Sequence, residues 1–238
     1  MERDSLSKVH DEIVACEKCP RLREWCIHAA TVKVKRYRAD DYWARPVPGF
    51  GDPSARLLIV GLAPAANGGN RTGRVFTGDP SGDFLFPALH RAGFATQGTS
   101  VWRDDGLAMT DAYILAAVRC APPDNKPLPD ETLACRPYLS REWKLLEPRA
   151  VLALGKFALD GLVAALKAEG IVEPRRSFKF GHGLSHELPP TPSGKTRRIF
   201  ISYHPSQRNT FTKTLTAPML DAVLEDINRF LKRSPKKL

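Results

Sequence analysis

Residues 57–79 read Leu57-Leu-Ile-Val60, then Gly61-Leu-Ala-Pro-Ala-Ala-Asn-Gly-Gly-Asn-Arg-Thr-Gly-Arg-Val-Phe-Thr-Gly-Asp79. The first four residues are apolar, rich in β-formers and bounded by turn residues, which predicts a buried strand. A helical pattern follows from Ser81 to Ala92, with Phe84, Leu85, Leu89 and Ala92 as its inner stripe. The glycine-rich segment is therefore a long loop leaving the carboxyl end of a strand, the place where open α/β sheets bind ligands. Its glycines let backbone amides approach a ligand closely. Arg71 and Arg74 suit an anion, Phe76 offers a flat stacking face, and Asp79 supplies a carboxylate. A glycine motif alone is weakly specific, and a plain surface loop with a solvated Asp79 is the competing reading.

Working outward, Met109–Val118, Ala150–Leu154 and Arg197–Tyr203 are further β-prone apolar runs. Helical patterns cover Glu2–Arg23, which Pro20 should stop or bend, then Asp130 or Glu131 through Leu146, 155–166 and 218–231. Strand and helix alternate, so the fold class expected is α/β: a three-layer αβα sandwich around a central, mainly parallel four-stranded sheet. Residues 1–238 read as one domain, with 232–238 a frayed basic tail.

The chain carries 36 Lys+Arg against 26 Asp+Glu, a formal charge of +10. Such an excess favours a polyanion, nucleic acid first and an anionic membrane surface second, although net charge alone also fits a basic protein with neither partner. Residues 32–45 concentrate Lys33, Lys35, Arg36, Arg38, Tyr37, Tyr42 and Trp43. They read either as a nucleic-acid-facing loop or as a solvated charged loop with its aromatics tucked inward. No apolar stretch approaches the roughly 20 residues that span a bilayer. The first ten residues lack a signal-peptide core, and the expected location is the cytoplasm.

Cysteines in such a chain point to metal or redox use rather than disulfides. Cys16 and Cys19 are spaced to share one metal, and Cys120 and Cys135 form a second pair. Two distant pairs that converge make a four-thiolate centre, for zinc or for an iron–sulfur cluster. Alternatively only the first pair matters and the others are small buried hydrophobes. Cys26 has no partner by spacing and reads as a buried thiol. Just past the last strand lies His204-Pro-Ser206, which should face the same rim as the glycine loop. Ser206, Arg208 and Asn209 are groups of the kind used on nucleic-acid backbones.

Taken together, Gly61-Leu-Ala-Pro-Ala65, Asn70-Arg-Thr-Gly-Arg74, Phe76-Thr-Gly-Asp79, Val118-Arg-Cys-Ala-Pro-Pro123 and His204-Pro-Ser206 resemble the uracil-DNA glycosylase superfamily, in its iron–sulfur-containing family 5, or type b. The resemblance runs over about residues 10 to 230. It implies a monofunctional DNA glycosylase that flips out and excises uracil, and other deaminated bases such as hypoxanthine and xanthine, from double-stranded DNA. The protein is expected to be a monomer with no membrane partner. By the same resemblance, Asp79 and His204 are catalytic, and Gly61, Ala63, Pro64, Ala65, Phe76 and Asn125 surround the base. Arg71, Arg74, Ser206, Arg208 and Asn209 contact DNA. Cys16, Cys19, Cys120 and Cys135 hold a structural [4Fe-4S] cluster. The stretch Leu62–Ala65 lacks the polar residue that other branches place there, and Leu115-Ala-Ala117 lacks the base-reading Asn of family 4. Those gaps keep a second reading in view: a nucleic-acid-binding protein with a structural metal and a decayed site. A P-loop hydrolase is disfavoured, because the loop lacks a Gly-Lys-Ser/Thr ending.

Overall fold

The computed structural model describes residues 4–232; the basic tail assigned to 232–238 lies outside the described residues from 233 onward. In chain order the strands are β1 (Phe50–Gly51), β2 (Leu57–Gly61), β3 (Ala112–Ala116), β4 (Ala150–Leu154), β5 (Ser185–Leu188) and β6 (Arg197–Ser202). They form one sheet in the order β1-β3-β2-β4-β6-β5. The four inner strands are parallel and correspond to the four apolar runs. The sheet has six strands rather than the four expected, because β1 and β5 add antiparallel edges. Neither edge carries an apolar run: β1 is two residues long, and Ser185 and Glu187 of β5 are exposed.

Alternation along each buried strand sorts its side chains between two cores, since successive Cβ atoms point to opposite faces. Leu57, Ile59, Ile114, Leu152 and Phe200 face one side, under α4 (Pro80–Arg91) and α8 (Ala217–Lys232). Leu58, Val60, Leu115, Val151 and Ile201 face the other, under α5 (Pro129–Leu146) and α6 (Lys156–Ala168). Helices thus cover both faces, giving the αβα layering. A third apolar cluster joins α1 (Leu6–Val14) and α2 (Pro20–Val32) to α5 through Val9, Ile13, Leu22 and Tyr138.

Pro20 does not stop the first helix, which ends at Val14. It opens α2 at a position where its missing N–H costs nothing. Pro137 sits inside α5; the Leu133 carbonyl one turn earlier belongs to an exposed residue, so water can replace the lost donor. Among the described residues, no helix is long and apolar enough to cross a membrane.

The parallel register aligns Gly61 of β2 with Ala116 of β3, and Leu154 of β4 with Ser202 of β6. The loops that follow these strands therefore emerge at one rim.

Candidate active site

The rim holds a cleft of about 480 Å3, lined by Leu62, Ala63 and Ala65 after β2, by Phe76, Asp79, Pro80 and Ser81, by Asn125, and by His204, Ser206, Gln207 and Arg208 after β6. Segments far apart in sequence meet here because the parallel strands end together.

Asp79 is the N-cap of α4. Its Oδ1 accepts hydrogen bonds from the amides of Ser81 (2.9 Å) and Gly82 (3.0 Å). These fix the side chain and satisfy two of the helix's open donors. Oδ2 has no protein donor among the described residues. Gly68 makes the position possible: a Cβ on Gly68 would stand 2.8 Å from Asp79 Cγ. Desolvation by burial pushes the Asp79 carboxyl up to about 6, outweighing the two amides that pull it down.

Phe76 is almost wholly buried and takes a left-handed backbone, with φ 52°. Its ring lies over Gly61 and meets the His204 imidazole, with centroids 5.9 Å apart and planes tilted by 34°. Burial drives His204 down to about 4, so its imidazole is neutral at physiological pH. The His204 carbonyl accepts from Asn209 Nδ2 at 2.8 Å, and Ser206 caps α7 (Gln207–Phe211) by accepting from the Asn209 amide. Asn125 presents its side chain from a short 3-10 turn, Pro123–Asn125, where Asp124 and Asn125 both have positive φ. Asp and Asn tolerate that conformation best among non-glycine residues.

Several residues assigned from sequence lie elsewhere. Gly61 and Pro64 are buried behind the cleft wall rather than lining it. Arg71 and Arg74, assigned to DNA, are buried and turned into the protein. The Arg71 guanidinium binds Asp40 Oδ2 (2.6 Å), the Asn67 carbonyl (2.8 Å) and the Gly78 carbonyl (2.8 Å). Arg74 binds Asp105 (2.8 Å), Ser100 (3.0 Å) and Thr77 (2.9 Å). Burying two guanidiniums demands such partners. Asn209 spends its side chain on His204, leaving Arg208 as the exposed cation at the rim. Leu62, Pro80, Ser81 and Gln207 join the lining without having been assigned to it. Their one sequence signal was adjacency to the motifs.

The four cysteines also converge. Cys16, Cys19, Cys120 and Cys135 line one small pocket, closed by Leu22, Pro46, Val118 and Tyr138. The Arg119 amide donates to Cys135 Sγ at 3.3 Å. Burial raises the Cys19 thiol, and raises Cys135 to about 11. A hydrogen bond with Cys26, together with burial, raises Cys120. Among the described residues, no three acidic, His or Cys side chains stand at metal-holding spacing. The donor set itself fits a thiolate-held cluster: four sulfurs, apolar walls and a backbone N–H on sulfur. Cys26 is fully buried and points to the Ala121 carbonyl, as a structural thiol does.

A family profile described as the uracil DNA glycosylase superfamily matches residues 48–228. The Mycobacterium tuberculosis protein named type-5 uracil-DNA glycosylase is 46% identical over 227 residues, covering 94% of this chain and 81% of its own. The Thermus thermophilus protein of the same name is 46% identical over 218 residues, covering 91% and 94%. A Pyrobaculum aerophilum protein named type-4 uracil-DNA glycosylase is 30% identical over 202 residues, covering 84% and 83%.

Proposed function

The chain belongs to the uracil-DNA glycosylase superfamily, and from that premise we propose that it is a monofunctional glycosylase hydrolysing the N-glycosidic bond of uracil and other deaminated bases, hypoxanthine and xanthine included, in double-stranded DNA. The observation that carries this reading is the single cleft shared by Asp79, Phe76 and His204.

A base within a duplex is out of reach and must be flipped out, at a cost of a few kcal/mol that is least at a mismatch. The flipped base stacks on Phe76, with Ala63 and Ala65 beside it and Asn125 opposite as the contact to its polar edge. Water attacks C1′ of the deoxyribose while the C1′–N bond breaks, and the bonding pair leaves with the base. Asp79 orients that water, takes its proton and offsets positive charge on the sugar. A carboxyl tuned to about 6 is ionised at neutral pH yet basic enough to accept a proton. Neutral His204 donates an N–H to the base carbonyl where negative charge grows, an oxyanion-hole role. No lysine lies among the cleft residues, in keeping with hydrolysis without a covalent DNA intermediate.

Cys16, Cys19, Cys120 and Cys135 would hold a [4Fe-4S] cluster. When bound, it staples the α1–α2 segment to the loop after β3 and to α5, and it supplies no step of the reaction. We place the protein in the cytoplasm, acting as a monomer.

The test is base release from duplex oligonucleotides carrying U, hypoxanthine, xanthine or T, with Asp79→Ala and His204→Ala beside the wild type. Release by the wild type alone supports the reading. Retained DNA binding with no release from any substrate would favour a nucleic-acid-binding module instead.

A further inference from the structure

Residues 33–45 lie as a strap across the outside of the glycine loop, and the strap has two distinct faces. Its inner face is committed to the loop. Tyr42 donates its hydroxyl to Asn67 Oδ1 at 2.8 Å, and the Trp43 amide donates to the Arg71 carbonyl at 2.9 Å. The Arg71 guanidinium stacks 3.9 Å from the Tyr37 ring centroid and pairs with Asp40. The same guanidinium donates to the Gly78 carbonyl, next to Asp79.

The outer face carries Lys35, Arg36 and Arg38, all exposed. Among the described residues none of the three has an ion pair or side-chain hydrogen bond, and Arg36 only stacks on Tyr37 at 5.2 Å. Of the two carboxylates in the strap, Asp40 is spent on Arg71, leaving Asp41 exposed. Arg71 and Arg74, by contrast, are committed to Asp40 and Asp105. Three unpartnered cations in four residues, held on a segment fixed by aromatic and hydrogen-bonded contacts, suit a row of phosphates.

We propose that the strap is a DNA-backbone clamp: Lys35, Arg36 and Arg38 engage phosphates flanking the flipped nucleotide, and Arg71 ties that contact to the segment bearing Asp79. The proposal rests on the reading of the cleft as the site that takes a base from DNA. It reassigns the phosphate contacts that Arg71 and Arg74, turned inward, do not make.

The experiment is equilibrium binding of the full chain to an undamaged duplex across a salt series, by fluorescence anisotropy. The variant is Lys35→Gln, Arg36→Gln and Arg38→Gln together, its fold checked by thermal melting. A control variant removes three charges near the opposite rim, Lys167→Gln, Arg175→Gln and Lys195→Gln. Each phosphate contact contributes about 0.9 to the slope of log K against log salt, so the strap variant should lose about 2–3 from that slope. The control variant should keep it. A wild-type slope in the strap variant, or equal losses in both variants, would overturn the clamp. Undamaged DNA makes this readout independent of chemistry: slope loss without any base release by the wild type would sink the glycosylase reading and leave the clamp standing.

Discussion

Arg74 and Asp105 form a buried ion pair, 2.8 Å from Nη2 to Oδ2, with both side chains mostly shielded from water. Asp105 also accepts from the amides of Val101, Trp102 and Leu107, which holds the segment after α4 against the glycine loop. An arginine that the sequence placed on DNA is thus a bolt inside the protein.

Replacing it should cost stability first. Removing one partner of a buried pair leaves the other charge uncompensated, which is worth about 3–5 kcal/mol. Arg74→Gln is expected to lose that much in denaturant unfolding while leaving the salt slope of DNA binding unchanged. A lowered slope with wild-type stability would restore the phosphate role.

Asp79 has two jobs that substitutions can separate. Asn caps a helix as well as Asp does, whereas Ala forfeits about 1 kcal/mol. Asp79→Asn should therefore keep the fold and lose base release by roughly 10²–10⁴-fold, the usual worth of a positioned acid–base group. Asp79→Ala should lose both. Single-turnover assays beside thermal melts would read the two effects apart, and an active Asn variant would remove Asp79 from the chemistry.

The raised Asp79 and lowered His204 set the pH behaviour. Base release should climb with pH through about 6 as Asp79 ionises, and His204 is already neutral there. Stability follows the opposite sign for Asp79. Its folded pKa lies above the ordinary 3.8, so its contribution is fully present below about 4 and is lost as pH rises through about 6. His204, lowered from 6.5 to about 4, contributes above 6.5 and loses that as pH falls through about 4. Asp79→Asn should therefore melt higher than the wild type above pH 6 and match it near pH 4. An acidic limb centred near 4 in the wild-type rate profile would contradict this assignment.

The thiol pocket predicts a split among the five cysteines. Cys16→Ser or Cys135→Ser should abolish bound iron, measured by elemental analysis and visible absorbance, and lower the melting temperature. Cys26→Ser should retain the iron, because Cys26 points to the Ala121 carbonyl. Iron lost equally in all three variants would make Cys26 part of the centre.

What the sequence determined by itself is local. Apolar runs at 57–60 and 150–154 declared buried strands, and alternation with helical patterns declared the parallel sheet. Motif order then placed Asp79, Phe76 and His204 at strand ends, which the parallel register brings to one rim. Only the tertiary structure decided which polar side chains face solvent. Arg71 and Arg74 look like any exposed arginine in a loop, because the carboxylates that neutralise them, Asp40 and Asp105, lie 31 residues away in each case. The edge strands were equally silent: a two-residue pairing and a half-exposed ladder need a neighbouring strand, not an apolar pattern, to exist. Burial is a property of what packs against a residue, and the chain writes that partner elsewhere.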